Sequence, residues 1–243
     1  MLNNILVINP VSGISGDKMI SCLADLGIEE TFLNKAIDNA GISAEVIVRI
    51  STEKRRGIKG TRVMFEFVSP KKRMPDEMKQ LIQKSRLKDT VKKTAASIID
   101  HLTDAEAGVH GMNRHHVHFH ELSHPDTIAD AVIVASALEF LGIEKILTAS
   151  INVGFGSVNT DHGVYPVPPP AVSLLLEGYK WHFGVDGDGE LTTPTGAAII
   201  KALAFPLMNG TNLVHQKVGY GLGMAELATR ANVLQAFLCR NRD

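Results

Sequence analysis

The chain of 243 residues has only two cysteines, Cys22 and Cys239, each inside an apolar run and neither in a CxxC pair. That scarcity argues against a disulfide framework or a thiolate metal site, and it fits a reducing, cytoplasmic setting. Net charge is nearly absent as well: 25 Lys+Arg against 26 Asp+Glu leave a formal -1. No global field draws the molecule to nucleic acid or to an anionic membrane, so partners must be sought at local sites. Nowhere do about 18 apolar residues run uninterrupted, the length a membrane-spanning helix needs. The start, MLNNILVINP, lacks the charged region and long apolar segment of a secretion signal. Internal repeats and low-complexity linkers are missing too. What remains is an ordinary globular balance, 44% hydrophobic and 21% charged, sufficient for one large domain or two small ones.

Local patterns set the order of elements. Residues 5–8 form a short apolar run closed by Asn9-Pro10, the pattern of a buried strand. A glycine-bearing loop follows, then a helical spacing over Met19, Ile20, Leu23, Ala24 and Leu26 that stops at Gly27. Residues 44–50 and 61–68 read as two strands joined by the basic turn 53–60, most simply a hairpin. The charged stretch 70–86 begins with PKKRM, whose basic residues have no interleaved aromatics. A solvated connector is the expected reading, with a phosphate patch as the alternative. Helical periodicity returns over 88–109 and 127–141, and a strand follows at 146–153. Helices open near Pro170 and Pro194, where proline suits a first turn, and strands close the chain at 213–220 and 231–238. The two element types mix without regular alternation. The expected class is therefore α+β, a mixed sheet with flanking helices, rather than a doubly wound sheet.

Histidine is where the composition is uneven. Seven of the ten lie between His101 and His124, and HHVHFHELSH at 115–124 holds five of them. In an extended backbone His118 and His120 face the same way with Cα atoms about 6.6 Å apart, close enough for two imidazoles to share one metal ion. Phe119 then faces the core. Glu121 can add an oxygen or act on bound water or on a histidine from outside the coordination sphere. Asp126 and Asp130, four apart at a helix start, share one helical face and can reach the same ion. Imidazole with carboxylate suits Zn, Ni, Co or Fe better than Mg or Ca. The alternatives are a satisfied structural network or an uninvolved exposed loop, and the loop reading is preferred for His115 and His116.

Three further stretches carry polar chemistry. SGISGD offers the backbone N–H groups and hydroxyls of Ser12, Gly13, Ser15 and Gly16, with Asp17, to an anion at a helix start. It is no Walker A loop, because only two residues separate Gly13 from Gly16. A tight turn capped by Ser15 or Asp17 is the competing reading. In GELTTPTGAA, Thr193 caps a helix that Pro194 opens, and Thr195 and Gly196 leave its terminus small and polar. HGVYPVPPPA, with four prolines, forms a stiff pocket wall with His162 at its mouth, or else a proline-rich ligand for a partner module.

Taken in order, SGISGD with the later LADLG, AEAGVHG at 105–111, VHFHE at 117–121, DTIAD at 126–130, HGVYPVPPPA and ELTTPTGAA resemble the nickel-insertion family of the lactate racemase maturation system. The resemblance runs from Leu6 to Leu238. Members of that family are similar to chelatases that place nickel into a pyridinium bisthiocarboxylic acid mononucleotide. The resemblance implies Ni²⁺ as the metal, and CTP with a divalent metal in the complete system. His118, His120, Glu121, Asp126, Asp130 and His162 become the metal-site candidates. Ser12, Gly13, Ser15, Gly16, Asp17, Thr193, Thr195 and Gly196 become candidates for holding the mononucleotide, and no catalytic base is identified. Residues 1–243 correspond to the histidine-bearing first domain, with room for two subdomains, and the family's C-terminal domain is expected as a separate partner. A homo-oligomer is compatible with this reading. The competing functions are a metal-dependent hydrolase in which Glu121 activates metal-bound water, and a non-enzymatic nickel store or chaperone. The sequence departs from the family at Asn9, where aspartate is usual, at Lys18 after Gly16-Asp17, and at Ser123-His124.

Overall fold

The computed structural model describes residues 4–241. The first apolar run becomes β1 (Asn4–Asn9), which enters a seven-stranded sheet with β2 (Val46–Arg55), β3 (Ile58–Phe67), β4 (Ile143–Thr148), β5 (Ala204–Pro206), β6 (Leu213–Leu222) and β7 (Val233–Asn241). The strand order is β5-β4-β1-β7-β6-β3-β2. β1 runs parallel to β4 and antiparallel to β7, β6 is antiparallel to β7 and parallel to β3, and β2 and β3 are antiparallel. The sheet is mixed and carries its helices as flanking elements, the α+β class expected.

Seven helices complete the described fold: α1 (Gly16–Asp25), α2 (Glu30–Ala40), α3 (Pro75–Lys84), α4 (Asp89–His110), α5 (Pro125–Phe140), α6 (Pro170–Leu175) and α7 (Pro194–Leu203). α5 is largely apolar beyond its first turns, where Asp126 and Asp130 sit, and it is buried from Thr127 to Leu138. It packs on α1, α2 and α4, and α4 also contacts α6 and α7. α1 lies directly on the sheet because two residues of β6 have no side chain. A Cβ at Gly221 would stand 2.1 Å from the Lys18 carbonyl oxygen, and one at Gly219 2.5 Å from that of Cys22. Those glycines fix where α1 begins, and with it one wall of the site. None of the described helices is long and apolar enough to cross a membrane.

Several expectations change in detail. The turn between β2 and β3 shrinks to two residues: Arg56 (φ 46) and Gly57 (φ 86) take left-handed conformations, the geometry of a tight hairpin, and their neighbours pair as strand. The expected strand 146–153 divides. β4 ends at Thr148, whereas Ile151–Asn152 leaves the sheet to pair with Trp181–His182. α2 was not anticipated, although Leu33, Ala36, Ile37 and Ala40 are buried at helical spacing.

PKKRM is more than a solvated connector. Arg73 donates to both oxygens of Glu45, at 2.7 and 2.5 Å, and its backbone N–H reaches the Ser123 carbonyl at 2.9 Å. Glu45 is only 4% exposed. Burial alone works to raise its carboxyl, but the hydrogen bonds and charge of Arg73, with the Lys71 N–H, outweigh this and hold it below the ordinary value. Replacing Arg73 with alanine strands a buried carboxylate and is expected to cost about 3 kcal/mol at neutral pH. Because the folded value is the lower one, the pair's contribution is present above the unfolded carboxyl value of about 4.3 and is lost as pH falls through the folded value. Urea melts of both proteins at pH 7 and at pH 3 should therefore show the difference shrinking in acid.

Candidate metal centre and pocket

α4 ends at His110, and Gly111 takes the left-handed cap (φ 60) that lets the chain turn away. One turn earlier, Glu106 approaches the His110 ring, Oε2 to Nε2 3.5 Å. Burial raises the Glu106 carboxyl, an effect the charges of His110, His120 and His162 oppose. After the short helical turn Arg114–His116, Val117 and Phe119 are buried at 3% and 5% exposure and anchor the segment as their apolar character requires. The backbone then bends sharply at His120 (φ -85, ψ -89). His118 and His120 are both exposed beside the buried Val117 and Phe119, as alternation requires, but the bend carries the chain away after His120, and His120 alone of the two is in the imidazole cluster.

His120 instead meets a histidine from a distant part of the chain. Ser157–Thr160 and Gly163–Pro166 form a two-stranded hairpin with His162 in its turn. His162 Nε2 lies 3.2 Å from His120 Nδ1, and its ring stacks parallel to Tyr165. One ligand nitrogen from each of His110, His120 and His162 lies within 4.8 Å of the others, close enough to coordinate one ion. His118 is exposed and outside this group, as are His115 and His116. His110 is a candidate ligand that the sequence reading did not include. Its signal was the Glu106-x-x-x-His110 spacing, which places a carboxylate one helical turn from an imidazole.

Glu121 serves this cluster from outside it. Its Oε1 accepts the Asp161 backbone N–H at 2.6 Å, which ties the segment carrying His120 to the turn carrying His162. Glu121→Ala is expected to weaken metal binding by roughly 10- to 100-fold, the usual effect of losing an outer partner. Glu121→Gln keeps an acceptor oxygen and should restore most of the affinity. Equal loss in both variants by metal titration would instead make the carboxylate itself a ligand.

Beside the histidines lies a cavity of about 710 Å³, lined by His110, His162 and Glu121 and also by Ser15, Gly16, Asp17, Asp126, Asp130, Thr193 and Thr195. The loop before α1 and the start of α7 are pressed together here. The Thr193 N–H donates to the Ile14 carbonyl at 3.0 Å, and the Ile14 N–H donates to Thr192 Oγ1 at 3.3 Å. Thr193 caps α7 as expected, accepting from the Gly196 N–H at 3.2 Å. Ser15 Oγ donates to Asp17. Ser12, Gly13 and Gly196 are not on the cavity wall. The Ser12 hydroxyl is committed to the Ala231 carbonyl at 2.8 Å. Gly13 (φ 71) and Gly196 are there for close approach: a Cβ would stand 2.0 Å from the Leu191 oxygen in the first case and 2.1 Å from the Ile14 oxygen in the second.

Charge in the cavity is strongly acidic. Lys18 is buried, and its ammonium is directed to the Ser12 and Leu191 carbonyls at 2.8 and 3.1 Å and to Asn232. Burial pushes it down to about 8. Glu190 is pushed up to about 7 by burial, against the pull of Lys18. Burial likewise raises Asp126, and it raises Asp130 well above the usual range, with the charges of Asp126 and Asp17 adding to the effect.

A family model described as nickel insertion protein matches residues 6–243. A pyridinium-3,5-bisthiocarboxylic acid mononucleotide nickel insertion protein of Thermotoga petrophila is 35% identical over 249 residues, covering 98% of this chain and 61% of its own length. Proteins of the same description from Thermotoga sp. (strain RQ2) and Akkermansia muciniphila are 33% and 34% identical, covering 96% and 98% of this chain and 61% of each relative. The chain thus spans about three-fifths of the length of these relatives. No solved structure matches it. On the match across nearly its whole length, the chain belongs to the nickel insertion protein family.

Proposed function

We propose that this chain captures Ni²⁺ on His110, His120 and His162 and delivers it to a pyridinium bisthiocarboxylic acid mononucleotide held in the adjoining cavity. The observation that carries the reading is the convergence of three imidazole nitrogens within 4.8 Å beside a cavity of about 710 Å³. Neutral imidazoles suit nickel, and thiocarboxylate sulfur is the softer ligand, so transfer from nitrogen to sulfur runs downhill. The small, polar starts of α1 and α7, at Ser15, Gly16, Thr193 and Thr195, face the same cavity and suit the phosphate of a mononucleotide. The joining of the nickel site to an organic-sized cavity favours delivery over storage. CTP with a divalent metal, and a partner polypeptide supplying the remaining length of the relatives, belong to the proposal for the complete system.

The test is transfer itself. Nickel-loaded protein is mixed with the synthetic mononucleotide, alone and with CTP, Mg²⁺ and the partner polypeptide, and nickel is measured after separation by size. Nickel in the small-molecule fraction, with new sulfur-to-nickel absorption, is the expected result. Nickel retained on the protein under every condition contradicts delivery and leaves storage.

A further inference from the structure

His110 and His162 line the cavity with Glu106 and Glu121, and Asp17, Asp126 and Asp130 also line it as a further acidic group. The charges that bear on Asp130 are those of Asp126 and Asp17, whereas the histidines bear on Glu106. Asp130 is 7% exposed, and its Oδ1 has no hydrogen-bond partner. An orphaned, buried carboxylate oxygen is costly and needs a reason. Its seat is built for it: both oxygens lie over Gly16, where a Cβ would stand 1.8 Å from Oδ2. Lys18 lies near enough for its charge to act with that of Asp17, and His124 acts on Asp126, but neither cation makes a direct contact with these carboxylates. Lys18 is turned to carbonyl oxygens, Arg62 pairs with Glu53 at 3.3 Å, and among the described residues none of Asp17, Asp126 and Asp130 forms an ion pair.

We infer that this acidic end of the cavity binds a second divalent cation, of the hard Mg²⁺ or Mn²⁺ class, on Asp130 with Asp17 and Asp126, independently of the histidine cluster. The class follows from the donors, which are all carboxylate oxygens. Asp17, Asp126 and Asp130 do not bring three ligand atoms within 4.8 Å of one another, so Asp130 is the direct ligand in this proposal and the ion keeps several waters, as Mg²⁺ does. An ion so held retains positions for a phosphate oxygen, which reconciles an acidic cavity with an anionic ligand. This last point rests on the proposed function; the cation site does not. Burial and like charge hold the Asp130 carboxyl well above its ordinary value, a state that a bound cation relieves.

The experiment titrates Mn²⁺ alone, followed by the electron paramagnetic resonance of the free ion, with Mg²⁺ as competitor. All proteins carry His162→Ala, so that imidazole does not contribute. One Mn²⁺ per chain, displaced by Mg²⁺, is expected in that background, with affinity at least about tenfold weaker once Asp130→Asn is added. Asp17→Asn supplies the same comparison should Asp130→Asn fail to fold. Absence of Mn²⁺ binding in the His162→Ala protein, or unchanged binding after the carboxylate substitutions, overturns the inference. Nickel titration of the protein with all its carboxylates and histidines in place is scored separately. No nickel bound at the histidines there, with one Mn²⁺ still bound in the His162→Ala protein, sinks the proposed function and leaves this site standing.

Discussion

Replacing Gly196 with alanine is expected to destabilise the protein by about 3 kcal/mol, because the added methyl has nowhere to go. Its nearest neighbours would be the Ile14 carbonyl oxygen and carbon at 2.1 and 2.5 Å and the Ser15 nitrogen at 2.8 Å, all of them backbone. The usual gain in helix propensity from glycine to alanine, about 1 kcal/mol, is too small to offset that clash. Relief requires α7 to separate from the loop before α1, and that separation breaks the Thr193–Ile14 hydrogen bond and disturbs the cap at Thr193. For a chain of this size the cost corresponds to a fall in melting temperature of roughly 6–12 °C, measurable by scanning calorimetry. An unchanged melting temperature with weakened mononucleotide binding would return Gly196 to the role of ligand contact.

Gly196 illustrates what could be read in advance. Helix starts at Pro170 and Pro194 and the cap at Thr193 were legible, because proline and a capping hydroxyl act locally. The reason for glycine at 196 was not legible, since the obstructing atoms lie about 180 residues away in sequence, at Ile14. α2 escaped for a different reason. Its apolar stripe of Leu33, Ala36, Ile37 and Ala40 is short and sits among polar residues, and only packing on α5 and β2 makes its helical character plain. The two cysteines are buried, as their apolar surroundings in the sequence suggest, and Cys22 donates to the Leu234 carbonyl at 2.9 Å.

The site shows the same division. His120 and the anchoring of Val117 and Phe119 followed from alternation in VHFH. The pairing of His118 with His120 assumed that two imidazoles on one exposed face share an ion, whereas His120 is grouped with His110 and His162 from other elements and His118 is not. His162 was a candidate from its place beside the prolines, yet its contact with His120 depends on a hairpin held by Glu121 and Asp161, a relation across 40 residues that no spacing rule contains. His110 is brought in by the length of α4, which ends one residue before its glycine cap.

The central claim is that His110, His120 and His162 together hold one nickel ion. Calorimetric nickel titration of single alanine variants at those three positions tests it most directly, with His118→Ala and a His115→Ala, His116→Ala double variant as comparisons and circular dichroism checking each fold. A direct ligand contributes more than an outer partner, so each triad variant should lose more than roughly 100-fold in affinity. The comparison variants should bind like the parent protein. Retained binding in the triad variants, with loss in His118→Ala or in the double variant, would contradict the account and move the nickel site to the exposed histidines.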